Sequence, residues 1–177
     1  MITTQIARVG PCETIDVIGI PFCMDILHAT LGAFAPEQVV PKLCQKMISD
    51  GRFGKYTGRG VYVYQNDRST DDAPEYYRDP TQTHTPGGAR VDATGVYERL
   101  LFTIYLSILR VTDRGLADLG DMCLGVQRML DLKADPLEQM RKLGSKGLRD
   151  VFDRLRDDLG PRFDCRPVEG TMATLDH

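Results

Sequence analysis

Hydrophobic positions recur at helical spacing along most of the chain, and glycines and prolines interrupt them at a few sharp points. A short helix is expected from Pro11 to Ile18, ended by Gly19; Phe22, Ile26, Leu27 and Leu31 then continue at helical period through the segment Pro21 to Leu31. Pro41 suits the first turn of a further helix, whose Leu43, Cys44, Met47 and Ile48 form one apolar side until Gly51 stops it. The period then changes. Gly51, Gly54, Gly58 and Gly60 stand where a backbone without Cβ can turn with positive φ, and Val61, Tyr62, Val63 and Tyr64 make a short β-prone run, so a glycine-rich hairpin is expected. From Gln65 to Asp92 three prolines, the Gly87 Gly88 pair and many Asp, Thr and Arg predict a mobile linker.

Beyond the linker, Tyr97, Leu100, Leu101, Ile104, Ile108 and Val111 repeat at helical period, while Phe102, Tyr105, Leu106 and Leu109 make the other side apolar too. Such a helix has to be covered on more than one face. Gly115 closes it, and Asp118 is placed as the N-cap of a helix through Met122, Val126 and Met129. From Ser145 to Leu159, Leu148, Val151, Phe152, Leu155 and Leu159 form a stripe opposite Lys146, Arg149, Asp153, Arg156 and Asp157, a solvated face. The expected organisation is 1–64, a linker over 65–92, a second helical part over 93–166, and a frayed tail over 167–177.

Composition narrows the function classes. With 177 residues, 42% hydrophobic and 27% charged, the chain reads as globular, in one or two small domains. A net charge of -3 supplies no basic stripe for phosphates, so nucleic acid and anionic membrane are not the expected partners. No stretch approaches the roughly 20 apolar residues of a spanning helix, and the start MITTQIARVG is not a leader, so the default expectation is cytoplasmic. Cys12, Cys23, Cys44, Cys123 and Cys165 show no paired spacing and read as reduced core thiols. His28, His84 and His177 lack the spacing that would put two on one helical face, so no metal site is expected.

The chain also resembles itself. GPCETIDVIG, Gly10 to Gly19, aligns with DPLEQMRKLG, Asp135 to Gly144: Pro11, Glu13 and Gly19 recur as Pro136, Glu138 and Gly144, and Asp25 and Ile26 as Asp150 and Val151. The pattern predicts two unequal copies of a helical unit. Copy one keeps the hairpin without the long opening helix, and copy two has that helix from Thr94 to Arg114 but no hairpin.

MISDGRFGKYTGRGVYVY, Met47 to Tyr64, resembles the hairpin that closes the C-terminal helical domain of NAD-dependent 3-hydroxyacyl-CoA dehydrogenases: Lys55, Thr57, Gly58, Gly60 and Tyr62 match its Lys-x-Thr-Gly-x-Gly-x-Tyr pattern, after Gly51 and Gly54. Gly10, Pro11, Glu13, Asp16 and Gly19 are similar to the family's Gly-Pro-aromatic-Glu-Leu-Leu-Asp motif, with Cys12 in place of the aromatic residue. Arg99, Leu100 and Leu101 resemble its Asn-Arg-Leu-Leu helix opening, with Glu98 in place of the Asn that contributes to the substrate region. The resemblance, to the tandem-repeat type, implies an all-α fold: a 6-phosphogluconate-dehydrogenase C-terminal-like helical bundle in two degenerate copies with one small hairpin. The motif residues are then mainly structural, with Glu98, Arg99 and Lys55 nearest the substrate region.

The family's chemistry requires a phosphate-cradling GxGxxG and a His-Glu pair, and neither is legible here. Gly58, Arg59 and Gly60 give only GxG before a hairpin, a structural turn. His28 reads as a packed or helix-terminal histidine, and Lys55 and Arg59 as solubilising cations that would at most touch a CoA phosphate. The resemblance therefore implies no catalytic, cofactor or metal residue in this chain, with NAD belonging to a separate nucleotide-binding domain. The expected role is the dimerisation and substrate-cleft portion of a dehydrogenase, as a homodimer or beside a subunit that carries that domain. The alternative is a non-enzymatic helical module that binds acyl-CoA or a dehydrogenase partner.

Overall fold

A computed structural model of the chain describes residues 9–34, 42–66, 68–70 and 93–177, which fall into two units, 10–70 and 93–177. The fold is all-α, with a single two-stranded hairpin among the described residues. No helix among these residues is long and apolar enough to cross a membrane.

In the first unit Pro11 opens α1 (Pro11–Ile18), where its missing N–H costs nothing, and Gly19 at φ 101° ends it. α2 (Ile20–Phe34) follows at once, and its first N–H is taken by the Phe53 carbonyl at 2.8 Å. α3 (Lys42–Ser49) packs on α2, and Ile20, Met24 and Met47 form the buried centre with Ile15, Cys23, Leu27 and Cys44 around it. The expected glycine-rich hairpin is present, with antiparallel bridges joining Gly54 to Arg59 and Arg59 to Val63. It makes a 3-10 turn (Lys55–Thr57), and β1 (Val63–Gln65) pairs antiparallel with β2 (Arg68–Thr70). Gln65, Asn66 and Arg68 to Thr70, expected as the start of a linker, thus belong to this hairpin. Arg68, Ser69 and Thr70 were unreadable as a strand because both faces of this short arm are polar or open, and Asn66 at φ 50° supplies the turn. Residues 71–92, the rest of that linker, lie outside the described residues.

The second unit is built on α4 (Ala93–Asp113), whose two apolar sides are both used. Phe102, Tyr105, Leu106, Ile108 and Leu109 are all buried in one core with Cys123, Met140, Leu148, Phe152 and Leu155. Asp118 caps α5 (Leu119–Met129), accepting from the N–H of Gly120 and Asp121 as its position suggested. α6 (Pro136–Leu159) is two helices in line, broken at Gly144 with φ 67°. Residues 167–177, expected as a frayed tail, are instead folded: α7 (Glu169–Ala173) and its flanking turns bury Val168, Met172 and Leu175. Their apolar positions are too few for a periodic signal, and only the neighbouring α4 and α6 make them core.

The two units share a plan. Pro11 to Ile18, Gly19 and Ile20 to Phe34 correspond in length and break to Pro136 to Leu143, Gly144 and Ser145 to Leu159. Thr14 and Gln139 each donate their N–H to the residue before the opening proline. Ile15, Cys23, Leu27 and Met47 pack in one core where Met140, Leu148, Phe152 and Met172 pack in the other. The start of the second helix is capped differently: Ser145 donates its N–H (2.8 Å) and its hydroxyl to the Asp176 carboxylate, whereas Ile20 uses a main-chain carbonyl.

Two carboxylates near the C-terminus give the second unit an acid sensitivity. Hydrogen bonds from Ser145 hold Asp176 below its usual value, and Arg166, bonded through its guanidinium, draws Asp164 down to about 2. A depressed folded-state pKa contributes stability that is full above the ordinary value of 3.8 and is lost as the pH falls through that range. Thermal melting of the second unit is expected to drop between about pH 5 and pH 2. In Asp176→Asn the drop should be shallower; an unchanged slope would mean that the cap contributes nothing.

Candidate functional site

The first-unit motif residues gather around one carboxylate. Asp16, on the last turn of α1, is fully buried, although the rest of α1 is half-exposed or open. Its Oδ1 accepts from the Val61 N–H at 2.6 Å, and its Oδ2 from the Tyr62 N–H and the Tyr64 hydroxyl, both at 2.9 Å. A buried carboxylate is costly unless it is hydrogen-bonded, and here two main-chain donors and one phenol meet that need. The bond to Asp16 and, above all, burial push the Tyr64 phenol well above its usual range, so it stays a donor.

Glycine at 60 is required by proximity. A Cβ there would collide with the Asp16 carboxylate, and one on Gly54 would run into the Asp16 carbonyl. Gly60 was expected to serve a positive φ; its backbone needs none, and the close approach is the reason for it. Arg52 completes the arrangement from the other side: it is buried, and its Nε donates to the Gly60 carbonyl at 2.7 Å. The Thr57 hydroxyl holds the turn through the carbonyls of Gly54 (3.0 Å) and Arg59 (3.1 Å), and Gly58 accepts the Tyr64 N–H at 2.9 Å. Asp16, Gly54, Thr57, Gly58, Gly60 and Tyr62 therefore belong to one knot that ties the glycine-rich turn to α1.

The other motif residues flank it. Gly10 and Pro11 start α1, Gly19 separates α1 from α2, and Gly51 turns the chain after α3. Glu13 lies within electrostatic reach of Tyr64, and Lys55 sits 5.8 Å from the Tyr64 ring centre, a cation-π contact. Arg52 and Tyr64 were not singled out from sequence as site residues. An arginine just after a helix-stopping glycine looks like any surface charge, and its burial arises only from the turn folding over it.

Of the residues linked to a substrate region, Lys55 belongs to the first unit and Glu98 and Arg99 to the second. Glu98 is engaged by Arg154 at 2.7 Å, an exposed pair, and the Arg99 carbonyl accepts the Thr103 hydroxyl. Among the described residues of the second unit, a partly open pocket of about 50 Å³ is lined by Tyr97, Leu101, Tyr105, Leu132 and Pro136, and a wider, shallower depression lies over Asp135, Leu137, Glu138, Arg141 and Lys142.

Among the described residues the cysteine thiols are shifted upward. Burial raises the thiols of Cys12, Cys23, Cys44 and Cys165, and that of Cys123 to about 11, the reverse of an activated nucleophile. His28 is solvent-exposed on α2, and the Asp16 oxygens are held by three donors. Among the described residues no three His, Cys, Asp or Glu side chains gather as a metal site.

Residues 4–64 match the family model described as 3-hydroxyacyl-CoA dehydrogenase, C-terminal domain. The match spans α1 to α3 and ends at Tyr64, so the whole knot around Asp16 lies within it. The second unit lies outside the matched residues. No curated protein matches the chain significantly.

Proposed function

We propose that, with residues 4–64 a C-terminal-domain region of the 3-hydroxyacyl-CoA dehydrogenase family, the chain serves as the scaffolding portion of such an enzyme. It supplies a dimer surface and one wall of an acyl-CoA cleft, and leaves hydride transfer from the 3-hydroxyacyl substrate to NAD to a nucleotide-binding domain. The observation that carries this reading is the knot at Asp16: the motif residues converge on main-chain donors and a phenol that fix a turn. A carboxylate committed in this way is a structural brace.

Self-association has its own support. Ile18, Phe22 and Ile26 are 49%, 58% and 50% exposed, and Phe22 and Ile26 share one face of α2 one turn apart. An apolar stripe of this kind favours a protein partner, and a two-fold contact would cover it in both copies.

The test is calorimetry of the purified chain with NADH and with acetoacetyl-CoA, together with an assay of 3-hydroxybutyryl-CoA oxidation and sedimentation. The expected result is no turnover, no NADH affinity, and a dimer that Phe22→Glu dissociates. Turnover by the chain alone would overturn the reading. Acyl-CoA affinity in a strict monomer would instead identify a binding module.

A further inference from the structure

Tyr97, Leu101 and Tyr105 follow one another at single-turn spacing along α4, and all three line the small pocket of the second unit. Leu132 and Ala134, between α5 and α6, and Gln139, early in α6, complete its wall. Tyr105 is 1% exposed, yet among the described residues its hydroxyl has no hydrogen-bond partner, which is unusual for a buried polar group. Thr112 Oγ1, on the same helix, is an unpaired oxygen sealed from solvent; the Tyr105 hydroxyl is unpaired without being sealed. The remnant of Tyr105 that stays open is therefore at its hydroxyl, and the pocket is what it opens onto. The Tyr97 hydroxyl and the Gln139 amide are likewise without a hydrogen-bond partner among the described residues. Three groups with unused hydrogen-bonding capacity border one small space whose other walls are apolar.

We propose that this pocket binds a short neutral carbonyl compound, whose oxygen accepts from the Tyr105 hydroxyl while its alkyl body lies against Leu101, Leu132 and Ala134. Size limits the ligand: a water needs at least about 10–15 Å³ of such space, so about 50 Å³ admits a molecule of about four to six non-hydrogen atoms. Charge limits it further. No side chain that lines the pocket is charged, and the Asp135 carboxylate, which accepts the Leu137 N–H at 2.9 Å, lies within electrostatic reach of the Tyr105 phenol. A carboxylate ligand would meet that negative charge with no cation in the wall to offset it. Burial above all, then Tyr97, Cys123 and Asp135, push the Tyr105 phenol well above its usual value, so it stays a protonated donor and calls for an acceptor. The Gln139 amide can both donate and accept, which suits a primary amide. The pocket lies outside residues 4–64, so this site stands or falls apart from the scaffolding role.

The probe is acetamide, titrated into the full chain labelled at its Leu methyl groups and Tyr rings and followed by NMR, with acetate as a charged molecule of the same shape. Saturable shifts are expected at Leu101, Leu132 and Tyr105 with acetamide, and about tenfold weaker binding or none with acetate. Tyr105→Phe deletes a hydroxyl that has no partner to lose, so the wild-type melting temperature is expected to persist while acetamide binds about fivefold more weakly, the worth of one neutral hydrogen bond. Ala134→Phe, at an exposed bend on the rim, fills the pocket from outside and is expected to abolish the shifts without unfolding the unit. No saturable shift with acetamide, acetate bound as well as acetamide, or affinity indifferent to both substitutions would each overturn the proposal.

Discussion

Replacing Asp16 with alanine is expected to unfold the first unit while the second remains folded. The substitution removes the acceptor for three groups, the N–H of Val61 and Tyr62 and the hydroxyl of Tyr64, and leaves them in a place built for a carboxylate. Stranding donors bonded to a buried charge costs about 3–5 kcal/mol, and a unit of this size has little stability in reserve. The expected readout in hydrogen exchange is loss of protection at Ile20, Tyr64 and the α2 amides, with α4 to α6 still protected. Asp16→Asn should be nearly as damaging, because an amide turns an N–H₂ toward one of those N–H donors. Gly60→Ala alone should also destabilise, since its Cβ meets the Asp16 carboxylate; in Asp16→Ala/Gly60→Ala that collision is gone, so the double variant should lose less than the two losses combined. An Asp16→Ala protein that melts like wild type would show that the knot is not what holds the turn.

Phe152→Ala is the matching prediction for the second unit. Phe152 is fully buried on α6, touches Phe102 edge to face, and lies in a core shared by α4, α5 and α7. Truncating a buried phenylalanine costs about 3–5 kcal/mol, through lost transfer free energy and an unfilled cavity. Denaturation followed by hydrogen exchange should show α4, α6 and α7 losing protection together, with the Asp16 knot unaffected. If only α7 loses protection, the two long helices hold the unit without the aromatic contact.

Helix positions were the most legible part of the fold, because a 3.6-residue period is a local signal that survives without knowing the partner. Pro11, Gly19 and Asp118 also act on backbone within a few positions in sequence, so their effects could be read directly. The polar β2 and the C-terminal segment were not legible. Val168, Met172 and Leu175 are isolated apolar residues among charges, and what makes them core is the arrival of α4 and α6 from far along the chain. For the site, the motif residues Asp16, Gly60 and Tyr62 were identifiable, but their joint purpose was not, since the bonds between them span 45 and 46 positions.

The amino-acid sequence by itself determined the all-α class and the recurrence of a proline-opened helix broken by glycine, because each of these is written in residues close together along the chain. Only the tertiary structure decided that Asp16 is a brace, that Arg52 is buried, and that Val168, Met172 and Leu175 are core. Burial and hydrogen-bond satisfaction depend on which distant segments meet, and that is a property of packing in three dimensions.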